Sequence, residues 1–203
     1  MILDLENLPT SQIYHTLIQT IIPRPIAWVL SENANGTHNL APFSYFNGVS
    51  SEPPIVSISV GRKEDGSQKD TWNNIENRGH FVIHIPHRDM ANSVTQSATT
   101  LPQGESEIDF LKLETESVVN WPLPRLRQGR VAFLCERFAI HAIGKGPQGL
   151  ILGRVTTVYL DEAITQSENR QLKIDANAMD PIARLGGNDY TTLGETISIE
   201  RPS

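Results

Sequence analysis

The sequence predicts a mainly β protein, an antiparallel barrel with a few peripheral helices. Three observations carry that expectation. Segments with strand character outnumber helical ones along the 203 residues. Most connections between them are short enough for antiparallel pairing. So many short strands would leave edges exposed unless the sheet closes, or nearly closes, on itself.

Residues 11–20 carry apolar positions at Ile13 and Leu17, continued by Ile21, a helical spacing, with Thr10 or Ser11 as caps. Pro23 and Pro25 end this N-terminal helix. Residues 26–30 predict a strand, and Asn-Ala-Asn-Gly at 33–36 is a hairpin-turn signal. A second strand is expected over 37–41, broken by Pro42. Pro53-Pro54 punctuates the chain again, and 55–60 alternates apolar residues with Ser as a half-buried strand should. Residues 69–78 predict a short helix closed by Gly79, and 81–85 a strand. Helices are expected at 90–99 and 107–111. Val131–Ile143 is a long β-branched and aromatic strand containing Cys135, with a turn at 144–149 and a partner strand at 150–160. Residues 180–190 suggest a helical turn and a glycine loop, and 195–200 a last strand. The whole chain, 1–203, is expected to be a single domain with an N-terminal helix and a C-terminal loop and strand extension.

Composition sets outer bounds. With 38% hydrophobic and 20% charged residues the chain suits one sizeable core. A net charge of -6 argues against a general nucleic-acid binder, though a local group of cations can still hold one phosphate. A single cysteine excludes an intramolecular disulfide. The first residues lack a secretory pattern and no apolar run reaches membrane length, so a cytoplasmic protein without membrane contact is expected.

Several motifs are set aside. The glycine-rich 144–149 segment lacks Walker spacing. There is no nucleophile elbow and no Gly-x-Gly-x-x-Gly, so a nicotinamide cofactor would have to bind without a Rossmann domain. His84, His87 and Asp89 lack a clear further ligand, so no metal site is expected. Cys135 suits a small core position.

The stretch from Asn39 to Thr71 concentrates the chemistry. At Lys69-Asp70-Thr71 a helix start would leave backbone N–H groups unpaired and add partial positive charge, which suits a phosphate. Lys69 supplies a cation, Thr71 and Ser67 supply hydroxyls, and Arg62 and Lys63 end the preceding strand. Asp70 is expected to cap the helix. Between Asn39 and Asn47, backbone groups around Ala41 and the kink at Pro42 can serve the edge of a flat ring. Phe43, Tyr45 and Phe46 offer walls, while Asn39, Ser44 and Asn47 offer hydrogen bonds. Because side chains alternate in extended segments, not all three aromatics can face one ligand. The same residues also suit a capped surface helix with solvated charges, and ordinary aromatic packing in a barrel strand. Arg24, fixed between two prolines, suits a surface ion pair as well as a role beside a ligand.

With Arg24 in Pro-Arg-Pro-Ile-Ala-Trp, with Lys69-Asp70-Thr71, and with Arg184-Leu185-Gly186-Gly187-Asn188-Asp189-Tyr190, the chain resembles the flavin reductase-like family, whose members bind FMN in a split β-barrel. The resemblance runs from about Ile22 to Tyr190, and Asp109-Phe110 and Leu134-Cys135-Glu136 fit its pattern. One departure is Ile108-Asp109-Phe110, where the family often has Asp-Glu-Phe; it puts in doubt any role for a carboxylate at 108. The resemblance implies an antiparallel split β-barrel of Greek-key type and FMN as cofactor. It implies NADH or NADPH as electron donor, a small-molecule or flavin acceptor, and a homodimer with FMN at or beside the interface. It also implies a phosphate site at Lys69 and Thr71, electrostatic tuning by Arg24, and Leu185 or Tyr190 near the ring. Two further readings are an FMN-binding electron carrier and a barrel that serves only flavin binding or protein interaction.

Overall fold

The computed structural model describes residues 1–144, 148–168 and 171–202. Seven strands form one antiparallel sheet: β1 (Ala27–Glu32), β2 (His38–Phe43), β3 (Phe46–Ser51), β4 (Pro54–Val60), β5 (His80–His84), β6 (Val131–Ile143) and β7 (Gln148–Leu160). Across the sheet they run β2-β1-β5-β6-β7-β4-β3. The two outermost strands, β2 and β3, are consecutive in the chain, with only Ser44 and Tyr45 between them. Three Cα steps keep those edges within about 11 Å at that point. The sheet therefore curls into an antiparallel barrel that stays split between β2 and β3. Register shifts between Leu152 and Gly153 and between Val155 and Thr157 interrupt the long β6–β7 ladder and help to bend it.

Among the described residues five α-helices accompany the barrel: α1 (Thr10–Thr20), α2 (Asp70–Arg78), α3 (Ala91–Gln96), α4 (Glu107–Phe110) and α5 (Ala176–Met179). A small separate ladder pairs Arg24–Pro25 with Ala183–Arg184, and the latter with Tyr190–Thr191. Among the described residues no helix is long and apolar enough to cross a membrane.

Strand alternation explains the buried run in β1. Ala27 and Val29 join Ile58, Val60, Phe81, Ile83, Cys135 and Ile151 in one apolar cluster, drawn from strands all round the barrel. Trp72 and Ile75 of α2 belong to the same cluster. Ile26, Trp28 and Leu30 point the other way, to Met90, Val94, Ile108 and Leu126. Both faces of β1 are thus covered, which is why its sequence is apolar without interruption. Close approach fixes Gly153: a Cβ there would stand 2.4 Å from the Phe81 ring.

The strands at 26–30, 37–41, 55–60, 81–85 and 150–160 form within one or two residues of their expected bounds, and 131–143 forms as expected. The expected turn at 144–149 includes residues 145–147, which lie outside the described residues. Five expectations are corrected and one strand was missed. Pro42 does not break β2, because the strand continues to Phe43. Position 42 has the parity of Leu40, whose N–H points away from β1, so the missing N–H of Pro42 costs no ladder bond. β3 was not anticipated, since its sequence, Phe-Asn-Gly-Val-Ser-Ser, is largely polar and exposed. The 90–99 helix is shorter: a 3₁₀ turn at Arg88–Met90 leads into α3. The helical turn placed at 180–190 lies earlier, at α5, and the glycine loop instead joins two short strands. Residues 195–200 are in no strand; Ile197 and Ile199 stay exposed, and among the described residues the segment pairs with no strand to complete a ladder. Pro9, not Thr10 or Ser11, occupies the N-cap of α1 and makes no side-chain cap bond.

His84 joins the barrel to its outer cover. It is fully buried, its Nδ1 lies 3.2 Å from the Trp28 carbonyl, and its Nε2 accepts the Leu126 N–H at 2.9 Å. That pattern requires the neutral ring with Nδ1 protonated. Burial pushes its pKa down to about 4 from the ordinary 6.5. An unfolded chain therefore binds more protons than the folded one between those values. The stability held by neutral His84 is complete above about pH 6.5 and is lost as pH falls towards 4, by roughly 3 kcal/mol in all. Urea midpoints measured from pH 7 to 4 should show this fall, and His84→Gln should flatten it.

Candidate functional site

Local geometry at the start of α2 follows from a tight turn. The Lys63 N–H donates to the Ser67 carbonyl at 2.9 Å, Gly66 takes φ +83, and Arg62 bridges to Gln68. The chain then reverses at Lys69, which is the N-cap of α2 and makes no side-chain cap bond. Gly79, with φ +78, closes the other end as expected. The expected cap by Asp70 does not form. Its carboxylate instead takes Lys63 Nζ at 3.0 Å, a partner that a backbone N–H cannot match in charge. The first N–H groups of α2 are left without a side-chain acceptor.

A buried polar network docks α2 on β1 and β2. Asn39 Nδ2 donates to Thr71 Oγ1 at 2.8 Å. Asn74 Nδ2 donates to Ser31 Oγ at 3.1 Å and to Asn33 Oδ1 at 2.8 Å. Because Thr71 Oγ1 accepts from Asn39, its own hydrogen remains free to donate.

These elements enclose a cavity of about 580 Å³, a size ordinary for a small-molecule site. Asn39, Ala41, Pro42, Phe43, Arg62, Lys69, Asp70 and Thr71, all expected at the site, line it. Lys63, Glu64, Asp65, Glu107 and the 97–101 loop complete the wall. Among the described residues Lys69 has no ion-pair partner. Arg62 donates to the Gly66 carbonyl at 3.0 Å and stacks over Trp72, while its buried Nε has no hydrogen-bond partner. Phe43 and Phe46 pack into the barrel cluster, leaving Tyr45 as the exposed aromatic of the three.

The other expected residues lie off this cavity. Ser67 Oγ donates to Asp65 at 2.6 Å and faces solvent. Asn47 is exposed on β3 and accepts the Gly48 N–H. Leu185 and Tyr190 belong to the glycine-loop region, where the Tyr190 hydroxyl meets Thr95 Oγ1 at 2.9 Å. Arg24 is only 4% exposed. Its guanidinium donates to the carbonyls of Ile18, Ile21 and Leu185, the last two at 2.8 Å, and Nε reaches Ser44 Oγ at 3.3 Å. One side chain thus ties the end of α1, the glycine loop and the β2–β3 connection together.

Two wall elements were missed as site residues. The 97–101 loop, Ser-Ala-Thr-Thr-Leu, follows α3 and is pinned where Ser97 Oγ accepts the Trp28 indole N–H at 2.8 Å. Its run of hydroxyls was the available signal. Glu107 accepts the Leu40 N–H at 2.8 Å, and burial holds its carboxyl above the usual range. A long-range bond of that kind leaves no mark on local sequence.

The family model for the flavin reductase like domain matches residues 19–173. The uncharacterized protein YwrF of Bacillus subtilis is 36% identical over 207 residues, covering 100% of this chain and 99% of that protein. The structure of nitrilotriacetate monooxygenase component B from Bacillus cereus is similar with a TM-score of 0.91 and 32% identity, covering 98% of each chain. The 2-nitrobenzoate 2-nitroreductase NbaA of Pseudomonas fluorescens is similar at TM-score 0.89 and 25% identity, over 100% of this chain and 96% of that one.

The three carbonyls gathered by Arg24 give a direct test. Arg24→Met leaves them without their donor in a buried setting and should cost about 3 kcal/mol in urea unfolding. Arg24→Lys should recover little, since an ammonium cannot reproduce the planar fork. Limited proteolysis should cut the Arg24→Met chain first near α1 or the glycine loop.

Proposed function

Because this chain belongs to the flavin reductase-like domain family, we propose that it is an FMN-dependent oxidoreductase, passing electrons from NADH or NADPH to a small-molecule or flavin acceptor. The observation that carries this reading is the convergence on one cavity of an uncapped helix start, an unpaired Lys69, the orphaned Nε of Arg62 and the free hydroxyl hydrogen of Thr71. These groups fit a phosphate. Lys69 and Arg62 supply charge, Thr71 and the first N–H groups of α2 supply directed bonds. Asn39, Ala41, Pro42 and the backbone of Phe43 hold the ring end along the β2 edge. Bound flavin supplies hydride acceptance and onward electron transfer. The residues of this chain position it and limit its contact with water, and none is assigned as a dedicated acid or base.

The relatedness to a monooxygenase component and to a nitroreductase supports a redox role, with the acceptor either a diffusing flavin or a small organic molecule. Arg24 serves as a positioning residue, holding the β2–β3 connection. Leu185, Tyr190, Ser44 and Asn47 reach the flavin in this reading only where two copies meet, and the chain works as a homodimer. Exposed Tyr14, Ile22, Tyr45 and Val49 support that pairing as an apolar surface for a second copy.

Replacing Lys69 and Thr71 together by Ala should weaken FMN binding roughly a hundredfold, the worth of two charge-assisted bonds. Riboflavin, which lacks the phosphate, should lose roughly threefold or less. Equal losses in fluorescence titrations would reverse the assigned polarity. Anaerobic addition of NADPH or NADH to the FMN-loaded protein should bleach the flavin band within seconds. A band that stays yellow would leave an electron carrier as the function.

A further inference from the structure

We infer that Glu107 takes up a proton when a phosphate-bearing ligand fills the cavity, an inference that rests on the flavin site proposed above. Glu107 begins α4 and is 6% exposed, yet it lines the same cavity as Lys69 and Thr71. Its Oε2 accepts the Leu40 N–H at 2.8 Å on the free edge of β2. Ser106 Oγ donates to the His38 carbonyl on the same edge. The Leu40 bond does not require a charged partner. A carboxylic acid keeps a carbonyl oxygen for the Leu40 N–H and gains an O–H donor. Proton binding therefore leaves the β2 edge held.

The surrounding charges do not neutralise Glu107. Asp70 and Lys63 act on it with opposite signs, and those two are already paired with each other at 3.0 Å. Asp109 of α4 acts on the His38 ring. Arg62, Lys69, Glu64 and Asp65 are the other charged groups of the cavity wall. Desolvation already favours the neutral acid. A phosphate carrying nearly two negative charges adds repulsion to a carboxylate sharing its cavity. One proton from solvent then forms one O–H bond on Glu107, no protein bond breaks, and one negative charge is cancelled.

The direction of the pH effect separates this coupling from titration of the ligand. A phosphate monoester loses its second proton near pH 6. A site that merely prefers the dianion binds more tightly, or equally, as pH rises. Coupling to Glu107 makes binding weaken as pH rises beyond the point where the phosphate is already a dianion.

Titration calorimetry of the full chain with FMN, in two buffers of different ionisation enthalpy near pH 7.5, gives the protons bound per ligand. Wild type should take up protons with FMN and none with riboflavin. Glu107→Gln keeps an oxygen for Leu40; it should take up fewer protons and bind FMN roughly tenfold tighter at about pH 8. Should that variant not fold, the wild-type profile decides: FMN affinity falling with pH supports the coupling, and affinity flat or rising overturns it. Unchanged uptake in a folded Glu107→Gln also overturns it, while leaving the flavin site intact. FMN that fails to bind wild type removes the site and the coupling together.

Discussion

The docking of α2 against β1 and β2 is the constraint on which the rest of the structure depends. It is made from amides and hydroxyls that are almost entirely out of water: Ser31, Asn33, Asn39, Thr71 and Asn74. Each such group is costly to bury alone and inexpensive to bury in a satisfied set. The set therefore accepts one register of the helix on the hairpin. On the same helix Trp72 and Ile75 enter the barrel cluster, so apolar burial supplies attraction while the polar set supplies position. The consequence for the site is direct. The start of α2 is delivered to the β2 edge with its first N–H groups uncapped, and Asn39 orients Thr71 from the strand side.

The split in the barrel is the second half of that arrangement. A fully closed sheet would use the outer N–H and C=O groups of β2 in a ladder. Here α4 takes part of that role, with Ser106 on the His38 carbonyl and Glu107 on the Leu40 N–H. Pro42 needs no partner on that side, and the edge beyond it borders the cavity. Edge protection and site construction are thus done by the same residues, which is why a carboxylate came to be buried beside a place suited to an anion.

Much of this was legible in the sequence, and the parts that were not have physical reasons. The strand Val131–Ile143 announces itself because its first half, Val131 to Cys135, is apolar and buried or nearly so on both faces. Lys69-Asp70-Thr71 was legible because a helix start and a cation adjoin in sequence. β3 was not, because its exposed polar residues carry no alternation. The segment at 195–200 has the alternation of a strand, but a strand also needs an edge to pair with, and pairing is decided by topology rather than pattern. Arg24 looked like a ligand for a cofactor, and the three carbonyls that hold it come from residues 18, 21 and 185. Only the fold brings position 185 beside position 24. Family resemblance singled out position 24, and tertiary geometry assigned the side chain its partners.

An acidic chain can still offer an anion a net attraction if its carboxylates are committed elsewhere. The cavity wall carries Arg62, Lys63 and Lys69 against Glu64, Asp65, Asp70 and Glu107, so counting charges alone predicts repulsion. The hydrogen bonds redistribute them. Asp65 is held by Ser67, whose donors lower its pKa, and it faces solvent, where its charge is screened. Asp70 is compensated by Lys63. Among the described residues Glu64 and Glu107 also lack a cation partner; Glu64 is exposed and screened, whereas Glu107 is buried and burial disfavours its charge. Among the described residues, what remains unspent is Lys69, the Nε of Arg62 and the positive end of α2. An anion entering this cavity would therefore meet the charges left over once the protein has satisfied its own, and not the sign of the whole.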